Sequence, residues 1–219
     1  MDRYLTEDKI YETANNLVKL TNRLKKEMDE NETGEEPKFY SVIPQMEDKY
    51  VHLYGWAIAS RKAVKEIAKF VGKKTILEIG AGMGMYAYLL SCSGVKVIAT
   101  DSKDEFTEKN RKRTVKKYKI KSDMKNFYDV ENLDAINALK KYKGGKNMAL
   151  MLIWPRDYAS ISLKKYVGDK LIYIGEDDGG CTGNDEFFEL LDKNWKLVKK
   201  VKIFSRTYIH DSLFLYKRK

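Results

Sequence analysis

Glu78, Gly80, Gly82 and Gly84 fall at alternate positions in the segment Thr75-Ile76-Leu77-Glu78-Ile79-Gly80-Ala81-Gly82-Met83-Gly84. Glycine lets a backbone approach a ligand closely. Backbone amides at a helix start attract an anionic group, and a carboxylate such as Glu78 can offset an ammonium. About twenty residues past Gly80 comes Asp101, where an acid can accept hydrogen bonds from both hydroxyls of a ribose. The alternative use of these glycines is a tight turn needed only for strand–helix packing.

Further chemistry-bearing residues follow downstream. Ile153-Trp154-Pro155-Arg156-Asp157 puts an indole, a guanidinium and a carboxylate together. Gly175-Glu176-Asp177-Asp178-Gly179-Gly180-Cys181-Thr182-Gly183-Asn184-Asp185 is acidic and glycine-rich. Glu176 is placed to point into a cleft and accept a proton from a hydroxyl or amine. The bland alternative is a solvated turn with Asp185 as a helix N-cap. Asp177 and Asp178 offer too few oxygen ligands for Mg²⁺ or Ca²⁺, so no metal is expected. Tyr54 and Trp56 are placed to shape a pocket or simply to pack a helix. His210 lies on a terminal turn, either bordering the site or exposed. Cys181 is a weak candidate nucleophile, and Cys92 reads as a packed thiol.

The elements that must position these residues alternate. The reading is helix from Trp56 to Val71, strand 75–79, helix 83–92, strand 95–100 and helix from roughly 105 to 118. A weak strand follows near 126–130, then helix 133–142, strand 148–154, helix 161–167, strand 171–174 and helix 185–191. Strands at 197–204 and 212–216 close the chain. Alternation implies a parallel sheet covered on both faces, and the short terminal connection requires an antiparallel pair. In an open parallel sheet, ligands bind beyond the carboxyl ends of the strands.

Glu78-x-Gly80-x-Gly82-x-Gly84 resembles motif I of class I S-adenosylmethionine-dependent methyltransferases. The dinucleotide pattern G-x-G-x-x-G would need glycine at position 85, which is Met85. The resemblance implies a Rossmann-like, doubly wound, mostly parallel seven-stranded sheet with an antiparallel C-terminal strand, and S-adenosylmethionine as cofactor. It implies contacts to that cofactor from Glu78, Gly80, Ala81, Gly82, Gly84, Asp101, Ser102 and Trp154, with Asn132 or Glu131 beside the adenine. Trp154-Pro155 occupies the motif IV position. The amino-methylating pattern (D/N/S)-P-P-(Y/F/W) is altered there by Trp154, Arg156 and Asp157. Tyr54, Trp154, Glu176 and His210 are implied to frame the acceptor. The chain from Tyr54 onward is similar to uncharacterised methyltransferase-domain proteins that pair Trp-Pro with a Gly-Glu…Gly-Gly-Cys-Thr loop. The expected activity is methyl transfer to nitrogen or oxygen, on nucleic acid, a small molecule or a protein. A non-catalytic binding module is the expectation from a different class.

The chain has 219 residues, 43% of them hydrophobic, and a formal charge of +10. No apolar run approaches a membrane span, and the N-terminus is not signal-like, so a cytoplasmic protein is expected. The basic balance favours anionic partners, and Lys109, Arg111, Lys112, Arg113, Lys116, Lys117, Lys119 and Lys121 are a candidate nucleic-acid surface, or simply a solvated face. Apolar positions from Ile10 to Met28 define a helix over 4–28. Residues 1–37 thus read as an N-terminal helix and linker, able to cover the cleft or pair with a second copy, and 38–219 as the methyltransferase domain.

Overall fold

Strongly apolar runs build the central sheet. In the computed structural model, which describes residues 6–29, 42–103, 107–120 and 124–219, the strands are β1 (Ile76–Ile79), β2 (Val97–Asp101), β3 (Val130–Asn132), β4 (Ala149–Ile153), β5 (Lys170–Gly175), β6 (Trp195–Lys202) and β7 (Ser212–Arg218). They lie in the order β3-β2-β1-β4-β5-β7-β6. The first five are parallel, and β7 runs antiparallel to both β5 and β6. All four residues of β1 are buried, as befits a central strand covered on both faces. On edge strand β6, Lys196, Lys199, Lys200 and Lys202 are exposed, and this charge discourages further strand addition.

The helices are α1 (Glu7–Asp29), α2 (Val42–Tyr54), α3 (Arg61–Val71), α4 (Met85–Cys92), α5 (Glu108–Tyr118), α6 (Ala135–Lys141), α7 (Tyr158–Lys165) and α8 (Asp185–Asn194). Side-chain caps set several starts. Ser60 accepts from the Ala63 amide, Thr107 from Asn110, Asp134 from Asn137 and Asn184 from Phe187. The cap of α8 is therefore Asn184 rather than Asp185. Strand alternation divides the core. Ile76, Met151, Ile172 and Leu213 face α1–α4, while Leu77, Leu150, Leu171 and Phe214 face α6–α8.

Four sequence expectations change. Helix α2 escapes the alternating pattern, and α3 starts at Arg61 rather than Trp56. Gly55, at φ +119°, ends α2, so Trp56 falls in a loop before the Ser60 cap. Cys92 is exposed at the end of α4. The third strand begins at Val130, where the expected one ended. The expected linker over 32–37, the start of α1 before residue 6, the helix start near 105 and Lys121 lie outside the described residues.

Helix α1 buries Ile10, Tyr11, Ala14 and Leu17 in the same cluster as α2–α4. Arg61 of α3 sits over the Tyr11 ring, and Thr13 Oγ1 lies 3.3 Å from Tyr54 Oη. The apolar stripe that could have served a second copy is thus covered within the chain. Leu17→Ala is expected to cost about 3 kcal/mol through the cavity it leaves. The check is a thermal midpoint lowered by roughly 10 °C. An unchanged midpoint would show that α1 contributes nothing to the core.

Candidate functional site

The strand order reverses between β1 and β4, the place where an open α/β sheet leaves a crevice beyond its strand ends. A cleft of about 500 Å³ lies there. Its floor is the β1 end and glycine loop, from Glu78 through Met83. Asp101 and Ser102 of the β2 end line one side. Trp154 at the β4 end lines the other, with Tyr54 and Trp56 near the α2–α3 turn.

The loop holds itself tightly. The amides of Gly80 and Ala81 both donate to Thr100 O at 2.9 Å, and Gly82 N donates to Asp101 Oδ2 at 2.8 Å. These three amides therefore brace the loop internally, rather than pointing freely at a ligand anion. A Cβ on Gly80 would come 2.0 Å from Tyr158 Oη, so glycine lets α7 close over the loop. Gly84 is not part of the cleft lining. It starts α4 at φ +79°, where a Cβ would meet Tyr128 Cβ at 2.8 Å and Val130 Cγ2 at 2.9 Å.

Glu78 is buried, and its Oε2 has no hydrogen-bond partner among the described residues. Burial pushes its carboxyl up to about 8, with the Asp101 charge adding to the effect and the Ala87 amide opposing it. A buried carboxylate oxygen without a partner is costly unless a cation or donor arrives. Asp101 itself accepts from Gly82 N and from Lys103 N at 2.6 Å.

The Trp154 side of the cleft is aromatic and charged. Trp56 and Trp154 stack with centroids 5.3 Å apart and planes 16° from parallel. The Arg206 guanidinium lies 4.7 Å from the Trp154 ring and 5.0 Å from Trp56, and Arg156 lies 5.6 Å from Trp56. Trp154 Nε1 donates to both oxygens of Asp211 at 3.0 Å. Burial pushes the Asp211 carboxyl up to about 6, against the opposing pull of Trp154 and Arg206. Trp154 also has a left-handed backbone, φ 50°, although it precedes proline, which favours extended geometry. That strain, about 1–2 kcal/mol, persists because Ile174, Asp211, Arg206 and Trp56 all hold the residue.

Glu176 stands elsewhere. It is buried, but its carboxylate accepts from Cys181 N, Cys181 Sγ and His210 N, each at 2.8 Å, and it does not line the cleft. Burial opposes its ionisation, yet the Cys181 and His210 donors hold the carboxyl below its usual value. It clamps the β5–α8 loop to the β6–β7 loop. The Glu176 hydrogen bond pushes the Cys181 thiol up, which disfavours the reactive thiolate. The His210 side chain is exposed, and only its backbone amide enters this clamp. Asn132 is exposed at the end of β3, and the cleft is lined instead by Leu133 and Asp134 just beyond it. Glu131 pairs with Lys141 and Tyr142. Tyr54, Trp154, Glu78, Gly80, Ala81, Gly82, Asp101 and Ser102 do come together in the cleft. Sequence reasoning missed Asp134, Tyr158, Arg206 and Asp211 as parts of this neighbourhood. The only available signal was the position of Asp134 and Tyr158 at helix starts after β3 and β4.

No protein-family model matches the chain, and no curated protein matches it by sequence. Solved structures do match. A Pyrococcus horikoshii OT3 protein aligns with TM-score 0.50 and 12% identity over 80% of this chain and 99% of its own. The magnesium protoporphyrin IX methyltransferase of Synechocystis PCC 6803, with bound SAM, aligns with TM-score 0.48 and 12% identity over 78% and 90%. A ribosomal protein L11 methylase from Lactobacillus delbrueckii subsp. bulgaricus aligns with TM-score 0.47 and 17% identity over 72% and 77%. The mostly parallel sheet with its antiparallel C-terminal strands, flanked by helices, has a Rossmann-like fold. Among the described residues, no helix is long and apolar enough to cross a membrane.

Proposed function

We propose that this chain binds S-adenosylmethionine and transfers its methyl group to a nitrogen or oxygen acceptor. The observation that carries this reading is Glu78, a buried carboxyl group in the lining of the cleft with one oxygen unpartnered among the described residues. An ammonium beside Glu78 would relieve both its burial and its missing partner. Asp101 and Ser102 sit where ribose hydroxyls would lie, and Leu133 and Asp134, rather than Asn132, border the base. When bound, S-adenosylmethionine supplies a methyl group made electrophilic by its sulfonium.

The chain's own part is alignment and exclusion of water. Trp154 and Trp56 wall the acceptor side, and Tyr54 backs the cleft from α2. Asp157 is the carboxylate at this edge, where it can take the proton that an acceptor releases. Glu176 and His210 act through the loop clamp, which supports the Asp211 and Trp154 side of the cleft.

Calorimetric titration with S-adenosylmethionine tests the binding step. A binding heat and a raised thermal midpoint are expected, as a ligand that binds the folded state stabilises it. Tritiated methyl incorporation into fractionated extract tests the transfer. If titration gives neither heat nor stabilisation, the cleft belongs to a binding module without this cofactor.

A further inference from the structure

Helix α5 is crowded with like charge. Lys109, Lys112, Arg113 and Lys116 recur at three- and four-residue spacings and therefore neighbour one another on its surface. Glu108 is the helix's sole acid, and it pairs with Lys112. Thr114 is the sole buried residue of α5, so packing offsets little of the repulsion. Such a helix is stabilised by an anionic partner.

A groove of about 840 Å³ lies between α5 and α2, lined by His52, Arg111, Arg113, Lys116 and Lys117. Two basic side chains organise it from within. Arg111 donates to Met124 O and Asn126 Oδ1, and Lys117 pairs with Asp48. Arg113 and Lys116 are exposed and make no ion pair among the described residues. No large apolar side chain of α5 is exposed, so the face lacks what insertion into a lipid surface requires. Helix α2 joins this groove to the cleft, since His52 lines the one and Tyr54 the other. In the cleft, the stacked Trp56–Trp154 pair and the Arg206 guanidinium over it make an aromatic and guanidinium wall, the two kinds of surface on which an unpaired base stacks.

We propose that the α2–α5 groove binds the phosphate backbone of a single-stranded nucleic acid and delivers one of its bases to the cleft. The delivery rests on the methyl-transfer reading above; the groove itself does not.

The test uses the full chain and fluorescence anisotropy with a labelled single-stranded RNA of mixed sequence and its DNA counterpart. Titration with S-adenosylmethionine runs in parallel. Wild type is expected to bind at least one of the two strands more tightly than the matching duplex. The Arg113→Glu/Lys116→Glu variant should lose at least about tenfold in affinity. Its log–log salt dependence should be shallower by about 1.4, at roughly 0.7 per lost phosphate contact on a single strand. S-adenosylmethionine affinity should not change. Lys196→Glu/Lys202→Glu on β6 makes the same change in net charge far along the sheet and should leave strand binding nearly intact.

Equal losses in both double variants would reduce the effect to net charge and overturn the proposal. So would absent strand binding, equal affinity for duplex, or tighter binding to phosphatidylserine–phosphatidylcholine vesicles. Strand binding that persists while S-adenosylmethionine fails to bind would overturn the reading of the cleft and keep the groove.

Discussion

Replacing Glu78 by Gln is expected to weaken S-adenosylmethionine binding by about ten- to a hundred-fold, the range that a hydrogen bond to a charged group represents. The physical reason lies in protonation. Burial pushes the Glu78 carboxyl up to about 8 from an ordinary 4.5, so the free protein holds it largely neutral near pH 6.5. The ligand's amine is still cationic there, since α-amino groups titrate at about 8. Binding therefore favours the carboxylate and releases a proton. Calorimetry in two buffers of different ionisation enthalpy measures that release, and the Gln variant should show none. A variant with wild-type affinity and wild-type proton release would sink the assignment of Glu78 to the ammonium.

The same shift has a consequence for stability. The folded pKa lies above the unfolded one, so this group's contribution is fully present below about pH 4.5. It is lost as pH rises through about 8, by at most about 1.4 kcal/mol per pH unit. Gln mimics the protonated acid at every pH. Without ligand, Glu78→Gln is thus expected to become more stable than wild type as pH approaches 8. Thermal midpoints of both forms between pH 5 and 8 check the sign.

Gly84→Ala is expected to lower stability by about 2–4 kcal/mol, and the thermal midpoint by roughly 10 °C. One part is the left-handed backbone at φ +79°, which costs an ordinary residue about 1–2 kcal/mol. The other is overpacking. The new Cβ would sit 2.8 Å from Tyr128 Cβ and 2.9 Å from Val130 Cγ2, with Tyr128 N at 3.4 Å. Those atoms belong to backbone or lie next to it, so they yield little. Gly84 does not line the cleft, so S-adenosylmethionine affinity at low temperature should stay near wild type. Gly80 carries the same left-handed strain, at φ +75°, but there the clash is with the hydroxyl end of Tyr158, which can swing away. Gly80→Ala should therefore disturb the cleft more than the fold. Comparable midpoint losses in the two variants would contradict this division of roles.

The sequence by itself determined the α/β alternation, the glycine loop after β1, the acid ending β2 and the antiparallel terminal pair. Each of these is written in local periodicity or in residues that only a tight turn tolerates. That Glu78, Asp101 and Trp154 gather in one cleft follows from strand ends sharing an edge, which the motif spacing made legible. Only the tertiary structure inserted β7 between β5 and β6, because strand order depends on contacts far apart in sequence. The same long-range packing covered the α1 stripe and made α2 a helix that carries Tyr54 to the cleft. It also turned Glu176 away from the cleft. A buried carboxylate goes where donors are densest, and those donors, on Cys181 and His210, come together only once the final hairpin folds back. Arg206 and Asp211 reach Trp154 by that same fold, more than fifty residues from it in sequence.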